Sequence, residues 1–244
     1  MKEKLNIQHG QLVNIIGYCG SGKTAFSLSL AADFISGGKN VLYISSEVGG
    51  ENIEEKFKLA LNFRKDRGKF IVKKQIIINE NSFIKDLKRF LKQLVSEKVF
   101  IDYIFFEPSV LPGFCGFTTD VAGNKSPSLH KTQQQWAELK GICHSDNVAI
   151  IGLIQGFRRD WPEKPLDIKN VPTAVAKISD KVMTVKKIEN KEFNFLKKIY
   201  YMLFPKKKPH NFEIELIKNR YGEDYIFKCW FDFEKNTLKV KDVK

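Results

Sequence analysis

Gly17-Tyr18-Cys19-Gly20-Ser21-Gly22-Lys23-Thr24 fits the pattern G-x-x-x-x-G-K-[ST] at every required position. Before it stands an apolar run, Leu12-Val13-Asn14-Ile15-Ile16, that predicts a buried strand, and after it Ala25 to Ile35 predicts a helix. Strand, loop and helix are the surroundings in which such a loop binds phosphate. Glycines at 17, 20 and 22 let successive backbone N–H groups turn inward around a polyphosphate, and the positive end of the following helix points at the same charge. The nucleotide-binding set is then Gly17, Gly20, Ser21, Gly22, Lys23 and Thr24, with Lys23 reaching the β- and γ-phosphates of ATP and the Thr24 hydroxyl a ligand of Mg²⁺.

Outward from the loop, strand followed by helix recurs, the pattern of a mostly parallel sheet covered on both faces. Asn40 to Ser46 predicts the second strand, closing on Glu47, and Glu51 to Arg64 a helix with Ile53, Phe57, Ala60 and Leu61 on one face. Gln75-Ile76-Ile77-Ile78 predicts a short strand, and Ser82 caps a helix whose apolar stripe (Phe83, Leu87, Phe90, Leu91, Leu94) lies opposite Lys85, Lys88, Arg89 and Lys92. Ile101 to Glu107 predicts a central strand carrying two acids. Asp102 enters that strand, whereas Glu107 leaves it at the carboxyl end, where ligands bind in such sheets, which makes Glu107 the better metal-side carboxylate.

Pro108 to Ser128 predicts a long irregular loop, His130 to Ser145 a helix with Trp136, Leu139, Ile142 and Cys143 inward, and Val148 to Ile154 a strand ending in Gln155. A second loop is expected from Gly156 to Asp180. The last third predicts strands at Val182–Lys186, Phe212–Ile217, Tyr225–Phe231 and Thr237–Val240. Between the first two lies Phe193 to Lys208, a mix of aromatics and lysines that suits either a partner contact or an amphipathic helix with a solvated basic turn.

Composition narrows the setting. At 244 residues the chain suits a single α/β domain over 1–244, and 41 Lys plus Arg against 28 Asp plus Glu give 41 − 28 = +13. Such an excess favours a polyanionic partner, nucleic acid first and an anionic membrane surface second. No apolar stretch approaches the ~18 residues of a transmembrane helix, and Met1-Lys2-Glu3-Lys4 leads into no secretory segment, so a cytosolic protein is expected. Cys19, Cys115, Cys143 and Cys229 have no paired spacing, and Cys143-His144 with His130 matches no familiar zinc pattern.

The ordered set of features resembles the RecA-like ATPase domain of the DnaB-type hexameric replicative helicases (superfamily 4), over about residues 10 to 240. Gly22-Lys23-Thr24-Ala25-Phe26-Ser27-Leu28 is similar to the family's loop and first helix, and Val41-Leu42-Tyr43-Ile44-Ser45-Ser46-Glu47 to its second strand with the catalytic glutamate. Gln155 corresponds to the γ-phosphate-sensing glutamine, and Lys218-Asn219-Arg220-Tyr221-Gly222 to the late basic element. The residues agree with these roles: a carboxylate at Glu47 can polarise the attacking water, and the Gln155 amide offers both donor and acceptor to a phosphate. Lys218 and Arg220, two apart on a strand, point to one face.

In the family such a pair reaches into the neighbouring subunit's site as an arginine finger. The resemblance therefore implies a homo-oligomeric ring, a hexamer, that hydrolyses ATP with Mg²⁺ on single-stranded DNA and meets other replication proteins in a bacterial or phage-infected cell. The loops 108–128 and 156–180 fall where the family presents DNA to a central channel, with Arg158, Arg159, Lys125 and Lys177 placed for phosphates and Phe157 or Trp161 for stacking on bases. Two features depart from the family. Glu107 stands where it has aspartate, and the chain begins almost at its first strand, so the separate N-terminal domain is not expected. A recombination or annealing ATPase, and a nucleotide-switched assembly or loader ATPase, remain alternatives.

Overall fold

A computed structural model describes residues 5–18, 20–45, 53–61, 67–74, 83–107, 129–155, 171, 173–188, 212–232 and 237–243. The elements in chain order are β1 (Leu12–Gly17), α1 (Lys23–Ser36), β2 (Val41–Ser45), α2 (Ile53–Leu61), β3 (Phe70–Lys74), α3 (Phe83–Ser96), β4 (Tyr103–Phe106), α4 (Leu129–Ser145), β5 (Ala149–Gln155), α5 (Thr173–Ile178), β6 (Lys181–Lys187), β7 (Phe212–Asn219), β8 (Ile226–Asp232) and β9 (Thr237–Val243). They form one sheet of nine strands in the order β3-β2-β4-β5-β1-β6-β7-β8-β9. Strands β1 to β6 run parallel, and β7, β8 and β9 continue the sheet antiparallel.

The parallel strands read as unbroken apolar runs because both of their faces are covered. Alternate side chains feed two cores. Val13, Ile15, Tyr43, Phe105, Ile151, Leu153 and Met183 meet α1 and α2 on one face, while Leu12, Ile16, Leu42, Ile44, Ile104, Phe106, Ile150 and Ile154 meet α3, α4 and α5 on the other. Helix α1 is covered over most of its surface: Phe26, Leu28, Leu30, Ala31, Ala32, Phe34 and Ile35 are all buried, as are Ser27 and Ser29. Phe34 lies flat on Tyr103 with ring centroids 3.7 Å apart, a stack that adds about 0.5–1.5 kcal/mol to the area both rings bury. By contrast α3 is amphipathic, with Phe83, Ile84, Leu87, Leu91 and Leu94 inward.

A strand that the sequence reading did not foresee lies at Phe70–Lys74, and the predicted 75–78 fall outside the described residues. Its alternation was masked by lysines: Phe70 and Val72 pack on one core and Ile71 on the other, while Lys73 extends over the Phe90 ring at 4.8 Å, as suits a sheet edge. The predicted loop 156–180 contains the short helix α5, held by the buried Val175, where six residues give too little periodicity to read. The loop 108–128 and the segment 193–208 lie outside the described residues, as do Ser82, Lys125, Phe157, Arg158, Arg159 and Trp161. Lys177 sits on α5.

Candidate nucleotide site

The site is built at the carboxyl edge of the parallel strands. Gly17 ends β1 in register with Gln155, the last residue of β5, and Phe106 of β4 is in register with both Gly152 of β5 and Ile44 of β2. Four strand ends therefore stand side by side, carrying the loop after Gly17, Gln155, Glu107 and, beyond Ser45, the segment with Glu47. Glu47 itself lies outside the described residues.

Between β1 and α1 the chain folds tightly. Gly20 and Gly22 have φ of +73° and +91°, the left-handed region where a side chain is strained. At Gly22 space forbids a side chain as well, since a methyl group there would come within 2.7 Å of the Phe212 ring. A methyl at Gly17 would fall on the Ser21 hydroxyl. Helix α1 begins without a side-chain cap and with no acid in its first turn, so its amide donors and positive dipole end face the loop. The Ser21 hydroxyl is buried and makes no hydrogen bond among the described residues. An orphaned hydroxyl, uncapped amides and glycines in close approach are what a polyphosphate would complete.

Lys23 donates to the carbonyl oxygens of Gly17 and Tyr18, both at 2.9 Å, which holds its ammonium inside the loop. Thr24 Oγ1 donates to Glu107 Oε1 at 3.5 Å, the outer edge of hydrogen bonding, and Glu107 is only 8% exposed. A hydroxyl and a carboxylate so placed are the hard oxygen donors a Mg²⁺ ion takes. Ser27, one turn further, gives its hydroxyl proton to the Thr24 carbonyl at 2.8 Å, so the Tyr43 hydroxyl, 2.8 Å away, is the donor to Ser27 and ties β2 to the start of α1. The second acid, Asp102, is engaged at the opposite edge of the sheet by Lys39 at 3.0 Å, by the Asn40 amide at 2.8 Å and by His9 at 3.2 Å.

No protein-family profile and no curated protein sequence matches the chain. Solved structures do. A DnaB-like replicative helicase, described with its interactions with primase, superposes on 95% of this chain with a TM-score of 0.64 at 15% identity. A second solved structure, that of an ATPase domain, covers the same 95% with a TM-score of 0.62 at 14% identity. The chain has the fold of the DnaB-type ATPase domain. It spans 57% of the helicase and 84% of the second structure.

In this DnaB-type fold the remaining residues that the sequence reading assigned to the site, Lys218 and Arg220, stand far from the loop. Strand β7 starts at Phe212, against Gly22, and runs antiparallel to β6 so that Lys218 pairs with Val182 near the amino-terminal edge. Eight residue steps separate Phe212 from Arg220, a span of about 26 Å. Lys218 donates to the carbonyls of Ala176 and Ser179, closing the end of α5, and burial followed by the nearby Arg220 charge pulls its pKa below the usual lysine value. Arg220 lies in the turn after β7, where Nη1 meets Asp180 Oδ1 at 3.4 Å and Nη2 the Lys177 carbonyl at 3.2 Å.

Asp180 is the residue that sequence reasoning missed. It is fully buried, and its carboxylate accepts from the Leu12 amide at 2.7 Å, from Lys140, from Arg220 and from the Tyr221 hydroxyl at 3.2 Å. Its partners are 40 or more residues away in sequence, so no local pattern marks it.

Proposed function

We propose that the chain is an ATPase motor of the replicative-helicase kind, a ring of identical subunits that hydrolyses ATP with Mg²⁺ while moving on single-stranded DNA. The observation that carries the nucleotide part is the convergence of Thr24 and Glu107 beside a glycine loop with an orphaned Ser21 hydroxyl and an uncapped helix start. Gly17, Gly20, Ser21 and Gly22 would wrap the phosphates with backbone donors, Lys23 would leave its loop carbonyls for the β- and γ-phosphates, and Thr24 and Glu107 would hold Mg²⁺. The ion would neutralise charge on the phosphate oxygens.

Glu47, two residues past the end of β2, is assigned to the attacking water, and Gln155, between the loop and Glu107 in strand order, to the γ-phosphate. Arg220 stands at the other end of β7 and is out of reach of its own chain's loop, so it would act on a neighbour's. That placement favours a ring over a self-contained switch. The net charge of +13 supports a polyanionic partner, and the fold shared with replicative-helicase ATPase domains supports single-stranded DNA as that partner.

A forked-duplex unwinding assay with ATP tests the motor. Strand separation that stops in Lys23→Ala supports it. Strand annealing or exchange without unwinding would replace it with the recombination reading, and nucleotide-dependent assembly indifferent to DNA with the loader reading.

A further inference from the structure

Lys218 and Arg220 differ in how they are held. The Lys218 ammonium is turned inward onto two carbonyls at the end of α5, whereas the Arg220 side chain is 46% exposed and anchored through Nη1 and Nη2, to Asp180 and to the Lys177 carbonyl. A guanidinium has five N–H donors in a rigid plane, and the contacts with Asp180 and the Lys177 carbonyl use two of them. Among the described residues no contact takes the others, which are left for an anion outside the chain. Asp180 cannot move: its second oxygen is fixed by the Leu12 amide of β1 and by Lys140, its own amide donates to the Leu12 carbonyl at 2.8 Å, and its carbonyl accepts from the Arg220 amide at 2.9 Å. Tyr221, 60% exposed, donates to the same oxygen that Arg220 meets.

We infer that Asp180 is the positioning residue of Arg220. The buried carboxylate presents the guanidinium plane at the outer corner of the subunit in a fixed orientation, with Tyr221 steadying the carboxylate, so that a phosphate oxygen of a nucleotide bound to a second copy of the chain meets a preformed fork. The inference rests on the reading of Arg220 as a finger acting in trans. Preorganisation makes it matter, because a group asked to stabilise developing charge loses much of its effect when displaced by an ångström.

The test is a mutant cycle on the full chain, with steady-state hydrolysis of Mg-ATP measured for wild type, Asp180→Asn, Arg220→Ala and the double variant. Asp180→Asn is expected to lower kcat by roughly ten- to a hundredfold at unchanged KM, and the double variant to be no slower than Arg220→Ala alone. If the two losses multiply, Asp180 acts on the fold rather than through Arg220, and the inference falls while the finger reading stands. The same follows if Asp180→Asn has no effect while Arg220→Ala is crippled. Arg220→Ala at the wild-type rate would remove the finger reading and the inference with it. Should Asp180→Asn not fold, Tyr221→Phe, which deletes only the phenol's contact with Asp180, takes its place: a kcat loss absent from the Arg220→Ala background supports the inference, and a wild-type kcat or a loss that multiplies overturns it.

Discussion

Thr24 and Glu107 are 83 residues apart in sequence and 3.5 Å apart in space, hydroxyl to carboxylate. Helix α1 brings the first, strand β4 delivers the second, and β5 passes between their strands in the sheet. The pair predicts cooperation through one cation. Thr24→Ala and Glu107→Ala should each remove most of the dependence of nucleotide affinity on Mg²⁺, read by titrating a fluorescent ATP analogue with and without the ion. Full Mg²⁺ dependence in both variants would rule the pair out as the cation's ligands.

Gly22 is constrained twice, by a φ of +91° and by the Phe212 ring. Gly22→Ala should destabilise the fold by about 1–2 kcal/mol from the left-handed backbone and by about 1–3 kcal/mol from crowding. Pairing it with Phe212→Leu should recover only the crowding part, since the backbone strain remains. Urea unfolding checks both, and a Gly22→Ala protein as stable as wild type would contradict the geometry.

The two described cysteines, Cys143 and Cys229, are fully buried, and burial pushes both thiols from 9.0 up to about 12. Neither should react with Ellman's reagent at pH 8 until denaturant is added. The raised values also set a sign. Below pH 9 the thiols are protonated in both states and do not affect stability; between about 9 and 12 the unfolded chain releases its protons first, so stability falls as pH rises. Cys143→Ala should flatten that fall once its own packing loss is subtracted. An unchanged slope would contradict the assignment.

Arg220 lies in the turn after β7, about 26 Å from Phe212 against Gly22, and on the proposed reading it acts on the loop of a neighbouring subunit. Lys23→Ala and Arg220→Ala should each be inactive alone and regain part of the hydrolysis when mixed, because one supplies intact fingers and the other intact loops. Mixtures no faster than either variant would argue against a shared site.

The sequence made the frame of this molecule legible where one signal sufficed. The loop at Gly17–Thr24 has a fixed spacing, and β1, β2, β4 and β5 are apolar runs that only a sheet covered on both faces accommodates. Position within a strand likewise separated Glu107, at the carboxyl edge of the sheet, from Asp102, which braces Lys39 and the Asn40 amide at the other. What escaped was long-range or short. The lysines of β3 disguised an edge strand, α5 was too brief to show a period, and Asp180 gathers partners from β1, α4 and the turn after β7 that no window of sequence contains. The Phe212 ring under Gly22 escaped for the same reason, since antiparallel continuation of the sheet brings it there.

Steady-state ATP hydrolysis with and without single-stranded DNA, at low and moderate salt and beside Lys23→Ala as the blank, tests the central claim most directly. The account predicts hydrolysis that needs Lys23, rises about tenfold or more with single strands and loses that stimulation as salt is added. Hydrolysis that persists in Lys23→Ala, or that single strands leave unchanged at low salt, would contradict it.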